Sequence, residues 1–396
     1  MKNVAVNLCR LLLSGVFIFS GFVKAIDPQG TQYKITDYLQ ALHLGGLLPP
    51  LATLGLSVGL AAIEFCLGIF MLFAIRRKLT TRIVVLMMAI MTPLTLWLAV
   101  ANPISDCGCF GDAIVLTNWQ TFAKNVVLLV AALVTAKWPK EMFRFVSESN
   151  QWIVINYTFL FVLGISSICL YYLPLFDFRP YHIGTDLRQG WQQMMEGEES
   201  PYADFFIERT DNGEDITEAV LSDSSYVFLL VASHLEEADD SRLDLLNELY
   251  EYAKEHGYLF LGLTASGEQA IERWRDMTGA EYDFCHTDDI TLKTVVRSNP
   301  GLLLLKNGTI INKWSCNDLP EVEEELTAKP LEQLEIGTMG ADSVPTKLLK
   351  LLTWFVLPLT ILVVADRTWM WTKWVRRKRR KLLQNVGAER ILHKSE

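Results

Sequence analysis

Residues 83–136 read "IVVLMMAIMTPLTLWLAVANPISDCGCFGDAIVLTNWQTFAKNVVLLVAALVTA". Two apolar runs, 83–101 and 119–136, flank a short polar gap. Each run is about 20 residues long, enough to cross the roughly 30 Å of a hydrocarbon core. The gap carries Cys107 and Cys109 with only Gly108 between them. What two such close thiols can do depends on the side of the membrane they occupy.

Four further apolar stretches, 4–24, 51–74, 152–174 and 349–366, have spanning length. The chain has 396 residues, 51% of them hydrophobic. That is too apolar for an ordinary soluble domain and too polar for an all-membrane protein, so a mixed architecture is expected. The net charge of -9 is unevenly spread: Leu175 to Ser343 holds 35 Asp/Glu against 12 Lys/Arg, and the remainder is net positive. The basic run Arg376 to Lys381 directly follows a span, which marks a cytoplasmic flank rather than a nucleic-acid patch.

Basic residues near span ends gather on the cytoplasmic side. Arg76, Arg77, Lys78 and Arg82 follow the second span, and Lys137, Lys140 and Arg144 follow the fourth. With Lys2, Arg10 and the basic tail, all fall on one side if both termini are cytoplasmic. The cysteine loop and the acidic segment then face outward. The first apolar run is full length and ends in "SGFVKAIDP" without a small-x-small cleavage site, so it reads as a span and not as a cleaved leader. The expected location is a bacterial inner membrane, with the acidic segment periplasmic.

Outside the cytoplasm disulfides form and persist. A Cys-x-Cys bridge closes a very small ring at the edge of allowed geometry, which favours exchange over permanence. Gly108 tolerates the backbone angles this needs. Thr117 or Asn118 can cap the fourth span, with Gln120 placed as the return partner of a capping box; its N-terminus with Lys124 favours a thiolate, while Asp106 and Asp112 oppose it. A structural clip and a pair of free thiols stand as alternatives to exchange. Metal binding does not fit, because no His or second cysteine pair is near.

Charges within spans need partners. Counted from the inner ends at 1.5 Å per residue, Arg10 lies about 9 Å deep and Glu64 about 15 Å, and Arg10 can reach toward Glu64, so an Arg10–Glu64 ion pair is expected; an unpaired Glu64 would instead be protonated. Lys24, at the outer boundary, reads as a snorkelling residue. Between the first two spans, Tyr33, Ile35, Tyr38, Leu39 and Leu42 give a polar stretch one apolar helical face lying along the outer surface. Cys9, Cys66 and Cys169 read as packing residues.

In the acidic segment "YVFLLVAS", "YLFLGLTAS" and "YDFCHT" are strands alternating with helices, one of them closed by Gly257. "NPGLLLLKNGTIINKWS", 299–315, forms a hairpin turning at Lys306–Asn307–Gly308. This order resembles the thioredoxin fold. The resemblance gives Pro300 the role of the cis-proline facing the active site, and it places a Cys-x-x-Cys where this chain has "SHLEEADDS". The domain therefore reads as redox-inactive by the usual route. Cys285 and Cys316 either bridge each other or stay free, with Cys285 a candidate exchange partner.

Residues 1–138 are similar to the DoxX and MauE group of four-span proteins. The likeness rests on Arg10, "SGFVKAIDP" with Lys24, "GTQYKITDYL", "IEFCLG" with Glu64, and "DCGCFGD" followed by "LTNWQTFAKNV". It implies a helper in disulfide maturation of exported proteins, working beside a thioredoxin-like partner. The expected architecture is an α-helical membrane bundle over 1–138, a cytoplasmic loop and fifth span over 139–174, an α/β thioredoxin-like domain over 175–344, and a sixth span with a basic tail over 345–396. Membrane lipid and an exported client or thioredoxin-like redox protein are the expected partners. Cys107 and Cys109 are the expected exchanging residues. No cofactor is evident, a quinone site near Trp97, Phe110 and Trp119 being the open option.

Overall fold

The computed structural model describes residues 2–104, 106–198, 200–202, 204–321, 329–340 and 344–392. Six of the described helices are long and apolar enough to cross a membrane. The first helix, α1 (Lys2–Ile26), packs along α3 (Pro50–Phe73). Two glycines set this packing. A Cβ on Gly21 would lie 2.3 Å from the Phe65 backbone nitrogen, and one on Gly68 2.6 Å from that of Ile18. The two backbones touch there, so only hydrogen fits, and small residues drive helix association in membranes in this way.

Between them runs α2 (Pro28–Ala41), capped by Asp27, whose side chain accepts from Gly30 N at 2.9 Å. Ser57 donates to Pro28 O at 2.6 Å and ties α2 to α3. Next, α4 (Arg77–Ala101) and α5 (Asn118–Lys137) form a hairpin around the cysteine loop. The capping box is present: Thr117 accepts from Gln120 N, and Gln120 accepts from Thr117 N. Asn118 Nδ2 bonds Asn102 Oδ1 at 2.9 Å and Ile104 O at 2.8 Å, which ties the mouth of the hairpin shut. Deeper in, Asn125 donates to Thr95. The fifth long helix, α6 (Gln151–Tyr171), packs on α1 and α3.

The α/β part is a six-stranded sheet. It uses α7 (Leu187–Met195), β1 (Glu208–Arg209), α8 (Thr217–Ser222), β2 (Tyr226–Ala232), α9 (Leu243–His256), β3 (Leu259–Thr264), α10 (Glu268–Thr278), β4 (Asp283–His286), α11 (Asp289–Val295), β5 (Gly301–Lys306) and β6 (Thr309–Ser315). The order is β1-β4-β3-β2-β5-β6, with β2, β3 and β4 parallel, β1 antiparallel to β4, β5 antiparallel to β2, and β6 antiparallel to β5. This is the thioredoxin-like arrangement that the strand and helix order implied. Leu246 and Leu249 of α9 and Trp274 of α10 cover one face against Phe228 and Leu230. Leu221 of α8 and Leu292 of α11 cover the other against Val227 and Leu229. Asn307 and Gly308 turn the hairpin with φ of 50° and 75°, and Gly257 closes α9 at φ 71°.

The last helix, α12 (Val344–Leu392), is continuous through the basic run; residues 341–343, at the expected domain edge, lie outside the described residues. The Phe355 ring meets Phe161 and Phe65 in tilted contacts, with ring centres 4.3 and 5.4 Å apart. At the far end of the part that packs on the bundle, Asp366 accepts from Ser147 N and Asn150 Nδ2. The basic connections cluster at that same end, where Arg77 donates to Lys140 O and Met142 O, and Arg367 to Phe145 O. The cysteine loop, α2 and the sheet share the opposite end.

Candidate thiol–disulfide site

Cys107 and Cys109 are bonded to each other. Cys107 is buried and Cys109 half-buried. The loop is fixed through its backbone from two helices and through the Phe110 ring from a third. Tyr38 of α2 donates its hydroxyl to Cys107 O at 2.7 Å. From α1, Ser20 Oγ and Lys24 Nζ reach Cys109 O at 2.7 and 2.8 Å. Lys124 of α5 lies 4.0 Å from the centre of the Phe110 ring, which in turn meets Phe19 edge-on. Gly108, with φ 63°, takes the left-handed conformation, and its N–H is turned onto Asp106 Oδ1 at 2.7 Å. The other oxygen of Asp106 pairs with Lys34 at 2.8 Å.

The ion pair expected between Arg10 and Glu64 is not formed. Glu64 Oε2 instead bonds Lys24 Nζ at 2.7 Å and Ser20 Oγ at 2.7 Å. The close approaches of Gly21 to Phe65 and of Gly68 to Ile18 decide this: they place Glu64 beside Ser20 and Lys24, ten or more residues along α1 from Arg10, about 15 Å at 1.5 Å per residue. Arg10 donates to Phe143 O at the other end and lies 5.6 Å from the Phe145 ring centre. Lys24, read from sequence as snorkelling, is only 4% exposed. Lys24 and Ser20 are the site residues that sequence reasoning missed, although their i, i+4 spacing in the quoted "SGFVKAIDP" was a usable signal.

The α/β domain meets the bundle beside this loop. Arg297 gives Asp27 a bidentate contact at 2.9–3.1 Å and lies 3.7 Å from Asp112. A Cβ on Gly30 would lie 2.3 Å from Asp27 Oδ2 and 2.8 Å from Arg297 Nη2, so the pair needs glycine there. Burial pushes the Asp27 carboxyl up, but the charge and hydrogen bonds of Arg297 outweigh it and hold the group below the usual carboxylate range. For Asp112, burial wins and its carboxyl is pushed up. A cavity of about 470 Å³ opens at the junction, lined among others by Tyr33, Lys34, Gly108, Lys293 and Arg297.

The Asn299–Pro300 bond is cis, as the resemblance implied for Pro300. The loop that replaces Cys-x-x-Cys lies against it: Asn299 Nδ2 bonds His234 O and Asp239 N bonds Asn299 O, both at 2.8 Å. Cys285 and Cys316 are free and buried, so they do not bridge. Burial pushes each thiol up to about 11. Cys285 sits in the sheet core among Leu263 and Leu292, closed off from solvent. Among the described residues no cluster of His, Cys, Asp or Glu could hold a metal ion.

Fold and site together define a multi-span membrane protein carrying a loop disulfide and a thioredoxin-like domain. Residues 2–137 match the family of the methylamine utilisation protein MauE, so the membrane part of this chain is MauE-like. A search of curated proteins returned no match. Among solved structures, one described as "a putative protein disulfide isomerase from Bacteroides thetaiotaomicron" aligns with 16% identity and a TM-score of 0.24, covering 29% of this chain and 76% of its own.

Proposed function

We propose that this chain is a thiol–disulfide exchange protein of a bacterial inner membrane, acting on exported proteins through Cys107 and Cys109. In the exchange, one thiolate of a client attacks a sulfur of the pair, the Cys107–Cys109 bond breaks, and a mixed disulfide forms. The client's second thiol then displaces it, so the client leaves oxidised and the pair keeps two electrons. The reverse sequence reduces a client. The observation that carries this reading is the anchoring of the loop. Ser20, Lys24 and Tyr38 hold the backbone carbonyls of both cysteines, so the loop is fastened by bonds that do not run through the disulfide. The neighbouring cavity, with Gly108 in its wall, gives a client segment a place beside the pair.

The test is a trapping experiment in intact cells. The Cys107→Ser and Cys109→Ser single variants, each with one thiol left unresolved, should accumulate a mixed disulfide visible on a non-reducing gel. The double variant should not. Absence of adducts in both single variants, with the protein present in normal amount, would remove the exchange reading.

A second reading is favoured by the Arg297–Asp27 clamp and by the missing Cys-x-x-Cys. In it the chain is a non-enzymatic scaffold whose disulfide is a clip and whose α/β domain binds a partner. It requires that the double variant keep partner binding while losing stability.

A further inference from the structure

The bundle places more positive than negative charge behind Cys109. A small cavity of about 40 Å³ beneath the loop is lined by Lys24, Glu64, Cys109 and Lys124, with Met88 and Met91 of α4. Lys24 Nζ reaches Ser20 Oγ at 2.7 Å, Glu64 Oε2 at 2.7 Å and Cys109 O at 2.8 Å. An ammonium has three donors, so Lys24 is saturated and fixed. Glu64 balances that one ammonium. Lys124 is a second cation, and its contact with the Phe110 face balances no charge. While the sulfurs are joined, the cavity therefore holds two cations and one anion.

The other charges around the loop lie on its solvent side. Lys34 pairs with Asp106, and Arg297 faces Asp27 and Asp112. Asp37 is exposed and screened by water, while Asp112, its carboxyl pushed up by burial, faces Arg297 at 3.7 Å. The residues that α4 contributes to the cavity are uncharged. Groups on the membrane side act through a low dielectric and outweigh the screened carboxylates at equal distance.

Building on the exchange reading, we propose that Cys109 is held as a thiolate once the pair is reduced, with Lys24 and Lys124 as the positioning residues that compensate it and Cys107 keeping the proton. The balance is explicit. A client dithiol gives up two electrons and two protons as its own disulfide forms. The pair takes both electrons and one proton, the Cys107–Cys109 bond breaks, and the second proton goes to solvent. Reduction then brings the cavity to two cations and two anions.

One released proton makes the exchange equilibrium depend on pH. Against a reference dithiol that stays protonated between pH 6 and 7, full-length protein in lipid nanodiscs should shift toward the reduced pair about tenfold over that one-unit rise. Peptide mass spectrometry of the reduced protein should show the iodoacetamide rate at Cys109 already level near pH 7. A thiol of ordinary pKa, about 8.5, would still be climbing there. Lys124→Met should flatten the equilibrium's pH dependence and slow Cys109 alkylation at pH 6 at least tenfold, and Lys124→Arg should restore both. Lys24→Met should do the same; should it fail to fold, Lys124→Met carries the test, because Lys124 does not bond the loop backbone. A pH-independent equilibrium in the unmodified protein, or an unchanged slope in Lys124→Met, overturns the proposal. A normal slope with no client adduct in cells would instead sink the exchange reading and leave this assignment standing.

Discussion

Replacing Arg297 by glutamine tests how the α/β domain is held on the bundle. The Arg297 side chain is 6% exposed and meets both oxygens of Asp27, with Asp112 at 3.7 Å. The Arg297→Gln change keeps most of the volume and removes the charge, which strands Asp27 at 21% side-chain exposure. Removing one member of a buried pair costs about 3–5 kcal/mol. The remaining exposure of Asp27 and its bond from Gly30 N lower that to roughly 2–3 kcal/mol at this site. At 1.36 kcal/mol per factor of ten, the domain should open about 30- to 150-fold more often. Hydrogen exchange in lipid nanodiscs reads this directly: amides of α2 and α11 should exchange faster by that factor, while β2 and β3 in the sheet centre stay protected. The Asp27→Asn/Arg297→Gln double variant should recover much of the loss, since it leaves no stranded charge. Unchanged exchange in α2 and α11 of the single variant would refute the view that this pair fastens the domain.

Gly21→Leu should disrupt the α1–α3 contact, because even a Cβ there would sit 2.3 Å from the Phe65 nitrogen. A loss of about 1–3 kcal/mol is expected for forcing side-chain atoms into a filled contact, measured as a fall in the thermal midpoint in detergent, whereas Gly55→Leu, where nothing lies within 4 Å, should be neutral. The domain contact should also respond to acid. Asp27 is held below its free value, so its contribution is present above about pH 4 and is lost as pH falls through the lower bound value. Asp112, whose carboxyl is raised, works in the opposite sense and takes its proton first. Protection factors at α2, exchange rates corrected for the intrinsic pH dependence of amide exchange, should thus stay flat from pH 7 to 5 and fall below about 4; a fall that begins near neutrality would contradict the assignment.

Much of the fold was legible because it depends on local signals. Span length, the Thr117–Gln120 capping box, the αL glycine at 257 and the Asn307–Gly308 turn are each written within a few residues, and the structure contains them all. The two-residue β1 is too short to leave a pattern, and its pairing with β4 comes from the tertiary fold. Within the site, the cysteines were legible from spacing alone. The partner of Glu64 was not, because counting depth from helix ends ignores register, and register here is set by backbone contact at Gly21 and Gly68. The Arg297–Asp27 pair joins residues 270 positions apart and had no sequence signature. Lys24 looked like a boundary lysine because nothing in its own helix shows that three acceptors converge on it.

The central claim is that the Cys107–Cys109 bond is made and broken in the working protein. Its most direct measurement is a thiol-alkylation mass shift on membranes equilibrated in graded redox buffers. The account predicts that this pair titrates above about −300 mV, within the range of exchange proteins. A bond that stays intact until well below that potential would be a structural clip, and the exchange account would be wrong.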